Sequence, residues 1–162
     1  MQGPVTVREA GGAEDLAVVR TLFREYEQGL GVDLCFQGFE QELADLPGPY
    51  APPRGALLVA YSGESPSGCV ALKPLDERIC EMKRLYVRPG DRGRGIGREL
   101  VVRIIELARL QGYAMMRLDT LDRLNEAVQL YRSTGFRPTS PYYHNPLPGV
   151  LYWELELNPS RG

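Results

Sequence analysis

Histidine is almost missing from this chain: His144 is the only one among 162 residues, and no cysteine stands close to it. A metal site of the usual Cys/His spacing has little to build on, so no metal is expected. A Ser-His-Asp arrangement through His144 lacks an accompanying nucleophile-elbow motif. Cysteine is scarce as well. Cys35, Cys69 and Cys80 are odd in number and widely spaced, two of them within apolar runs, which points to buried reduced thiols and argues against a disulfide framework. No apolar run approaches the roughly 20 residues that span a bilayer, so no membrane partner is expected. The opening residues, MQGPVTVREAGG, have neither the basic start nor the apolar core of a secretory signal, and the expected location is the cytoplasm. Internal repeats, low-complexity tracts and linkers are also lacking.

What is present is the composition of a globular protein, 43% hydrophobic and 25% charged. The length suits one domain over residues 1–162, with a real core. The net charge of −2 is unevenly spread. Between Lys83 and Arg98 six basic residues face one acid, Asp91, which makes this window +5 on an acidic body. A local cationic patch of this kind suits a small anionic ligand; a nucleic acid would ask for a wider basic face.

The periodicity predicts a strand near Val5–Ala10 and then a helix from about Ala13 to Gln28, with Leu16, Val19, Leu22, Phe23 and Tyr26 on one face. A second, shorter helix is expected from Gln37 to Asp45, followed by an irregular "LPGPYAPP". Three extended runs follow, Gly55–Ser62, Gly68–Leu75 and Ile79–Val87, with connections short enough for an antiparallel meander. A helix is predicted over Gly97–Gln111, a strand over Ala114–Thr120, a helix over Asn125–Ser133, and two strands near Arg137–Tyr143 and Val150–Leu157. The strand-helix-strand step around Gly97–Gln111 requires a right-handed crossover and a parallel pair. The expected fold is therefore a mixed sheet in a three-layer α/β or α+β arrangement.

The segment "YVRPGDRGRGIGREL", Tyr86 to Leu100, carries four glycines and four arginines and runs straight into the predicted helix. Glycines admit positive φ and close ligand approach, and a helix N-terminus aims free N–H groups at one spot where the macrodipole also favours negative charge. Phosphate oxygens fit there. A dinucleotide fingerprint fails, because from Gly93 the third glycine place falls on Arg98 and from Gly95 it falls on Leu100. A P-loop fails for want of Gly-Lys-Ser/Thr. An ordinary surface loop is the plain alternative.

Arg92-Gly93-Arg94-Gly95-Ile96-Gly97 resembles the R/Q-x-x-G-x-G/A motif of the GCN5-related N-acetyltransferase (GNAT) family, placed after a strand and before an amphipathic helix. Downstream, "NEAVQLYRSTGF", Asn125 to Phe136, resembles that family's N-x-A-x-x-L-Y-x-x-x-G-F segment. The resemblance covers Gly55 to Phe136. It implies a single acyl-CoA N-acyltransferase fold whose central strands splay apart, with acetyl-CoA as cosubstrate. The backbone of Leu85, Tyr86 and Val87 would hold the pantetheine arm and supply a donor for the acyl oxygen. The N–H groups from Gly93 to Arg98 would bind the diphosphate, with Arg92 and Arg94 adding charge, and Asn125 would contact the pantetheine region.

For catalysis the resemblance implies Tyr131 as general acid toward the leaving thiol and Glu81 as general base. Strand alternation would put Glu81 on one face with Lys83, Leu85 and Val87, and a partly apolar cleft would raise its pKa. Asp119 competes for the role of base. The acceptor pocket would draw on the first two helices and the final hairpin, which offer Tyr26, Asp33, Phe36, Tyr50, Tyr142, Tyr143, His144 and Asn145. The expected partner is a small-molecule amine or a peptide, no nucleic acid is expected, and a homodimer stays open. A catalytically silent acyl-CoA-binding domain is the second reading.

Overall fold

The structure, a computed structural model, describes residues 3–31, 34 and 38–157. The second helix was expected from Gln37, which lies outside the described residues, as do Cys35, Asp33 and Phe36. Seven strands, β1 Val5–Glu9, β2 Ala56–Ser62, β3 Ser65–Pro74, β4 Ile79–Val87, β5 Met115–Leu121, β6 Arg137–Thr139 and β7 Val150–Glu156, form one sheet in the order β1-β2-β3-β4-β5-β7-β6. Four helices accompany them: α1 Gly12–Leu30, α2 Phe39–Asp45, α3 Ile96–Leu110 and α4 Asn125–Ser133. All neighbouring strands are antiparallel except β4 and β5, which are parallel as the crossover through α3 requires.

Each helix packs one apolar stripe on the sheet. On one face, Leu100, Val101, Ile104, Ile105 and Ala108 of α3 cover Leu58, Ala60, Val70 and Leu72, with Tyr131 of α4 in the same core. On the other, Val19, Leu22 and Phe23 of α1 and Phe39 and Leu43 of α2 cover Leu57, Val59, Cys69 and Ala71. The sheet is thus the middle of three layers, and its central strands are buried on both sides. The first turn of α1 is acidic, suiting the positive end of the helix dipole, and Asp15 accepts the Gly11 N–H at 2.8 Å. Gly31, at φ 69, closes the same helix by donating to Gln28 O. Cys69 and Cys80 are buried free thiols, as expected. No helix among the described residues is long and apolar enough to cross a membrane.

Two element boundaries differ from expectation. Strand β3 starts at Ser65, because Gly63 at φ 61 turns the chain within two residues. Strand β6 stops at Thr139 instead of Tyr143. Pro141, Pro146 and Pro148 have no N–H for a ladder, and residues 140–149 form an irregular connection over the sheet's end.

All nine tyrosines have phenols held above their usual pKa, with burial the leading cause in each. Tyr50 and Tyr131 are 1% and 6% exposed. The stability this confers is full below the unfolded value near 10 and falls as pH rises toward the folded values, because only the unfolded chain then loses these protons. The unfolding free energy measured by urea titration should start to fall near pH 10 and then approach about 1.4 kcal/mol per pH unit for each well-buried phenol. A flat profile would contradict this.

Candidate active site

The site begins where β4 and β5 part. They pair only over Ile79–Glu81 and Met115–Arg117, although β4 continues to Val87 and β5 to Leu121. The cause lies in β4. On its β3 side, Lys83 faces Ala71 and Tyr86 faces Cys69, so three steps on one strand match two on the other, and Arg84 and Leu85 bulge. Arg84 takes φ 60, the only positive value at a non-glycine among the described residues.

Its side chain holds it there. The guanidinium, 3% exposed, meets Glu42 of α2 through two bonds of 3.0 and 2.8 Å and lies over the rings of Phe39 and Tyr26. Burial works against that charge, but the Glu42 carboxylate outweighs it and leaves Arg84 above its usual pKa.

The bulge corrects the alternation expected from the sequence. Glu81 and Lys83 do share the α1/α2 side of the sheet, but the extra residue shifts the phase after Arg84. Leu85 and Val87 consequently pack with the α3 core, and Tyr86 faces α1, where its hydroxyl donates to Glu25.

Beyond the bulge a groove of about 680 Å³ runs between β4, the glycine-rich turn and α4. It is lined by Leu85, Tyr86, Val87, Arg92, Gly93, Gly95, Ile96, Gly97, Arg98 and Asn125, together with Arg123 and Leu124, which sequence reasoning had not singled out. Gly93 and Gly95 adopt φ of 81° and 79°. A Cβ at Gly95 would meet nothing within 4 Å, so glycine serves the left-handed backbone there and not crowding by the protein. The first helical bond of α3 runs from Glu99 N–H to Gly95 O, and the preceding N–H groups of its first turn have no acceptor within the helix. Gly97 faces Leu130 of α4, where α3 and α4 meet at the groove floor.

The arginines divide. Arg98 lines the groove and donates to Ser133, and Arg92 lines it while donating to the Val87 carbonyl. The Arg94 side chain, expected to add charge at the groove, points the other way. It is tied to Ser62, Asp91 and the Gly3 carbonyl, because the positive φ of Gly93 and Gly95 swings it toward the β1–β2 edge.

Deeper in, Tyr26, Leu30, Leu85, Leu124 and Ala127 line both the groove and an inner cavity of about 70 Å³, which also meets Lys83, Asp119, Tyr131 and Asn145. Tyr131 packs edge-on against Phe136, and burial raises its phenol far above the usual value. Asp119 accepts from the Tyr143 hydroxyl and from Asn145 Nδ2. Glu81 is 3% exposed and lines neither the groove nor this cavity; among the cavity-lining residues Lys83 approaches its carboxylate. Its Oε2 accepts the Tyr142 hydroxyl at 2.6 Å, and Lys73 and Lys83 approach Oε1 at 3.7 and 3.9 Å. Burial, and then the Glu81 charge, push the Tyr142 phenol well up. The Glu81–Lys83 pair is thus enclosed, with side-chain exposures of 3% and 10%. Tyr50 lies in the core against Phe23, away from both cavities, and His144 is exposed. Among the described residues no group of three or more His, Cys, Asp or Glu is placed to hold a metal ion.

Comparison with known proteins places this geometry. An uncharacterised N-acetyltransferase of Schizosaccharomyces pombe is 48% identical over 147 residues, covering 90% of each chain. An acetyltransferase of the GNAT family from Staphylococcus aureus Mu50 superposes with a TM-score of 0.79 at 19% identity, over 96% of this chain and all of that one. YncA of Salmonella typhimurium, solved with its cofactor acetyl-CoA, superposes with a TM-score of 0.69 at 20% identity, over 98% of this chain and 96% of that one. Residues 53–138, from the prolines before β2 to the middle of β6, match the profile of the acetyltransferase (GNAT) domain, and the chain belongs to this family of N-acetyltransferases.

Proposed function

We propose that this chain transfers the acetyl group of acetyl-CoA to a primary amine by direct attack, with Glu81 as general base and Tyr131 as general acid. The observation that carries the reading is the continuous path from the glycine-rich turn, along the free edge of β4, to the inner cavity with Tyr131. The groove suits a diphosphate-bearing thioester: two glycines at positive φ open the turn, first-turn N–H groups of α3 face it, and Arg92, Arg98 and Arg123 add charge. YncA, of the same fold, holds acetyl-CoA. When bound, acetyl-CoA supplies an activated acyl carbon and a thiolate leaving group.

The rest falls to this chain. Leu85, Tyr86 and Val87 present a backbone edge released by the splay, and N–H groups on it would meet negative charge on the acyl oxygen. An amine with a pKa near about 10 arrives protonated and must lose a proton before attack. Glu81 accepts it through water or through the Tyr142 hydroxyl that already donates to Oε2. Tyr131 donates toward the departing sulfur, and burial keeps its phenol protonated for that role. Asp119 accepts from Tyr143 and from Asn145, the latter beside it at the cavity wall, which suits a positioning part better than that of a base.

An amine panel, small molecules and peptides together, assayed by thiol release tests this directly. Sustained turnover with at least one amine is expected. Binding of acetyl-CoA with no turnover on any amine would instead leave the silent acyl-CoA-binding domain. Gly95→Val provides a second check. A β-branched side chain resists φ near 79°, so the turn must rearrange, and affinity for CoA should fall at least about tenfold by calorimetry while the fold persists. Unchanged affinity would argue against the turn as the diphosphate site.

A further inference from the structure

Seventeen of the nineteen basic residues in the chain are arginine. The two lysines, Lys73 and Lys83, stand on neighbouring strands, and both ammonium groups point at one atom, Glu81 Oε1. A guanidinium would serve as well for charge alone. What it cannot do is lose its proton, whereas an ammonium can, leaving a nucleophilic amine. Lys83 is the more enclosed of the pair, its side chain 10% exposed against 31% for Lys73. It also lines the inner cavity with Leu85 and Tyr131, which Lys73 does not reach.

We propose that Lys83 is a self-acylation site, acetylated on Nζ by acetyl-CoA bound in the adjoining groove when no acceptor amine is present. The inference rests on the proposed function, since it needs the donor in that groove. Glu81 Oε1 takes one proton from the ammonium, and the freed Nζ lone pair forms a C–N bond to the acyl carbon as the C–S bond breaks. The second proton leaves the nitrogen for the thiolate, so the products are an amide, free CoA and one proton passed on to solvent. The surroundings favour the neutral amine. Burial lowers the Lys83 pKa and the fixed charge of Arg84 adds to this, as does Lys73, against the opposing carboxylates of Glu81 and Asp119. An amide is no acyl donor, so the mark persists, replacing a charge at the cavity wall with a neutral acetamide.

The test is peptide mapping of the full chain after incubation with acetyl-CoA and no amine. Trypsin cuts after unmodified Lys83 but not after the acetylated residue, so the mark appears on a peptide running from Ile79 to Arg84. Fixed proximity to the donor should label Lys83 about 100-fold faster than Lys73. Excess CoA should suppress the label, Lys73→Arg should keep it and Lys83→Arg should remove it. Equal labelling of the two lysines, or labelling that survives excess CoA, would mean solution chemistry and overturn the inference. An unmodified Lys83 in a chain shown by calorimetry to bind acetyl-CoA overturns it while leaving the proposed function intact. Absence of any binding removes both.

Discussion

Tyr131→Phe is expected to lower kcat about 100-fold or more while changing affinity for acetyl-CoA by no more than about twofold. The phenol is 6% exposed and packs on Phe136, so phenylalanine fills the same space without opening a cavity. What the variant loses is a proton. The leaving thiol has a pKa of about 8.5 by analogy with cysteine, and its departure gains from a donor whose proton is held at working pH. Burial lifts Tyr131 far above the usual phenol, so it stays protonated throughout the range in which the fold survives. The wild-type rate should therefore show no decline between pH 8 and 10 that can be traced to Tyr131. A variant with kcat within about twofold of wild type would reduce Tyr131 to a packing residue. Glu81→Gln should act differently, with a rate that recovers as pH rises and more amine arrives neutral.

Glu42→Ala is expected to cost about 3–5 kcal/mol of stability, because it strands the Arg84 guanidinium in a buried site. That is a large share of the roughly 5–15 kcal/mol that holds a domain together. Arg84 is 4% exposed, with its two bonds to Glu42 flanked by aromatic rings, so a substitute acceptor has little room to enter. Removing both charges at once, with Glu42→Leu and Arg84→Met, should cost far less, since no ion is then left desolvated. Urea denaturation of the singles and the double measures this. The pair also links helix α2 to the bulge that splays β4 from β5, so the surviving single variant should bind CoA more weakly. A loss below about 1 kcal/mol for Glu42→Ala would contradict the part assigned to the pair.

The extent to which this fold could be read from sequence follows the range of the interactions involved. Helices α1 and α3 and strands β2, β4 and β5 came close to their observed limits, because apolar spacing of three to four residues or of two is a local signal. The glycine-rich turn was legible for the same reason: Gly93 and Gly95 sit where only a positive φ works. The bulge at Arg84 was not. Nothing marks an arginine as the residue that will take φ 60, and its partner Glu42 lies 42 residues away. A strict alternation therefore placed Leu85 and Val87 on the wrong face. The contacts of Glu81 with Tyr142 and of Asp119 with Tyr143 span 61 and 24 residues, so the polar side of the cavity emerged only in three dimensions. "RPTSPYY" alternated well enough to suggest a strand, but proline at 141 removes the donor such a strand would need.

The central claim is that the groove beside the glycine-rich turn holds acetyl-CoA through its diphosphate. Isothermal titration of the chain with acetyl-CoA tests it most directly. The account predicts saturable binding at a single site, displaced by CoA and lost progressively with rising salt as the cationic rim is screened. No heat of binding at millimolar acetyl-CoA, or displacement by ATP or NAD in place of CoA, would contradict it.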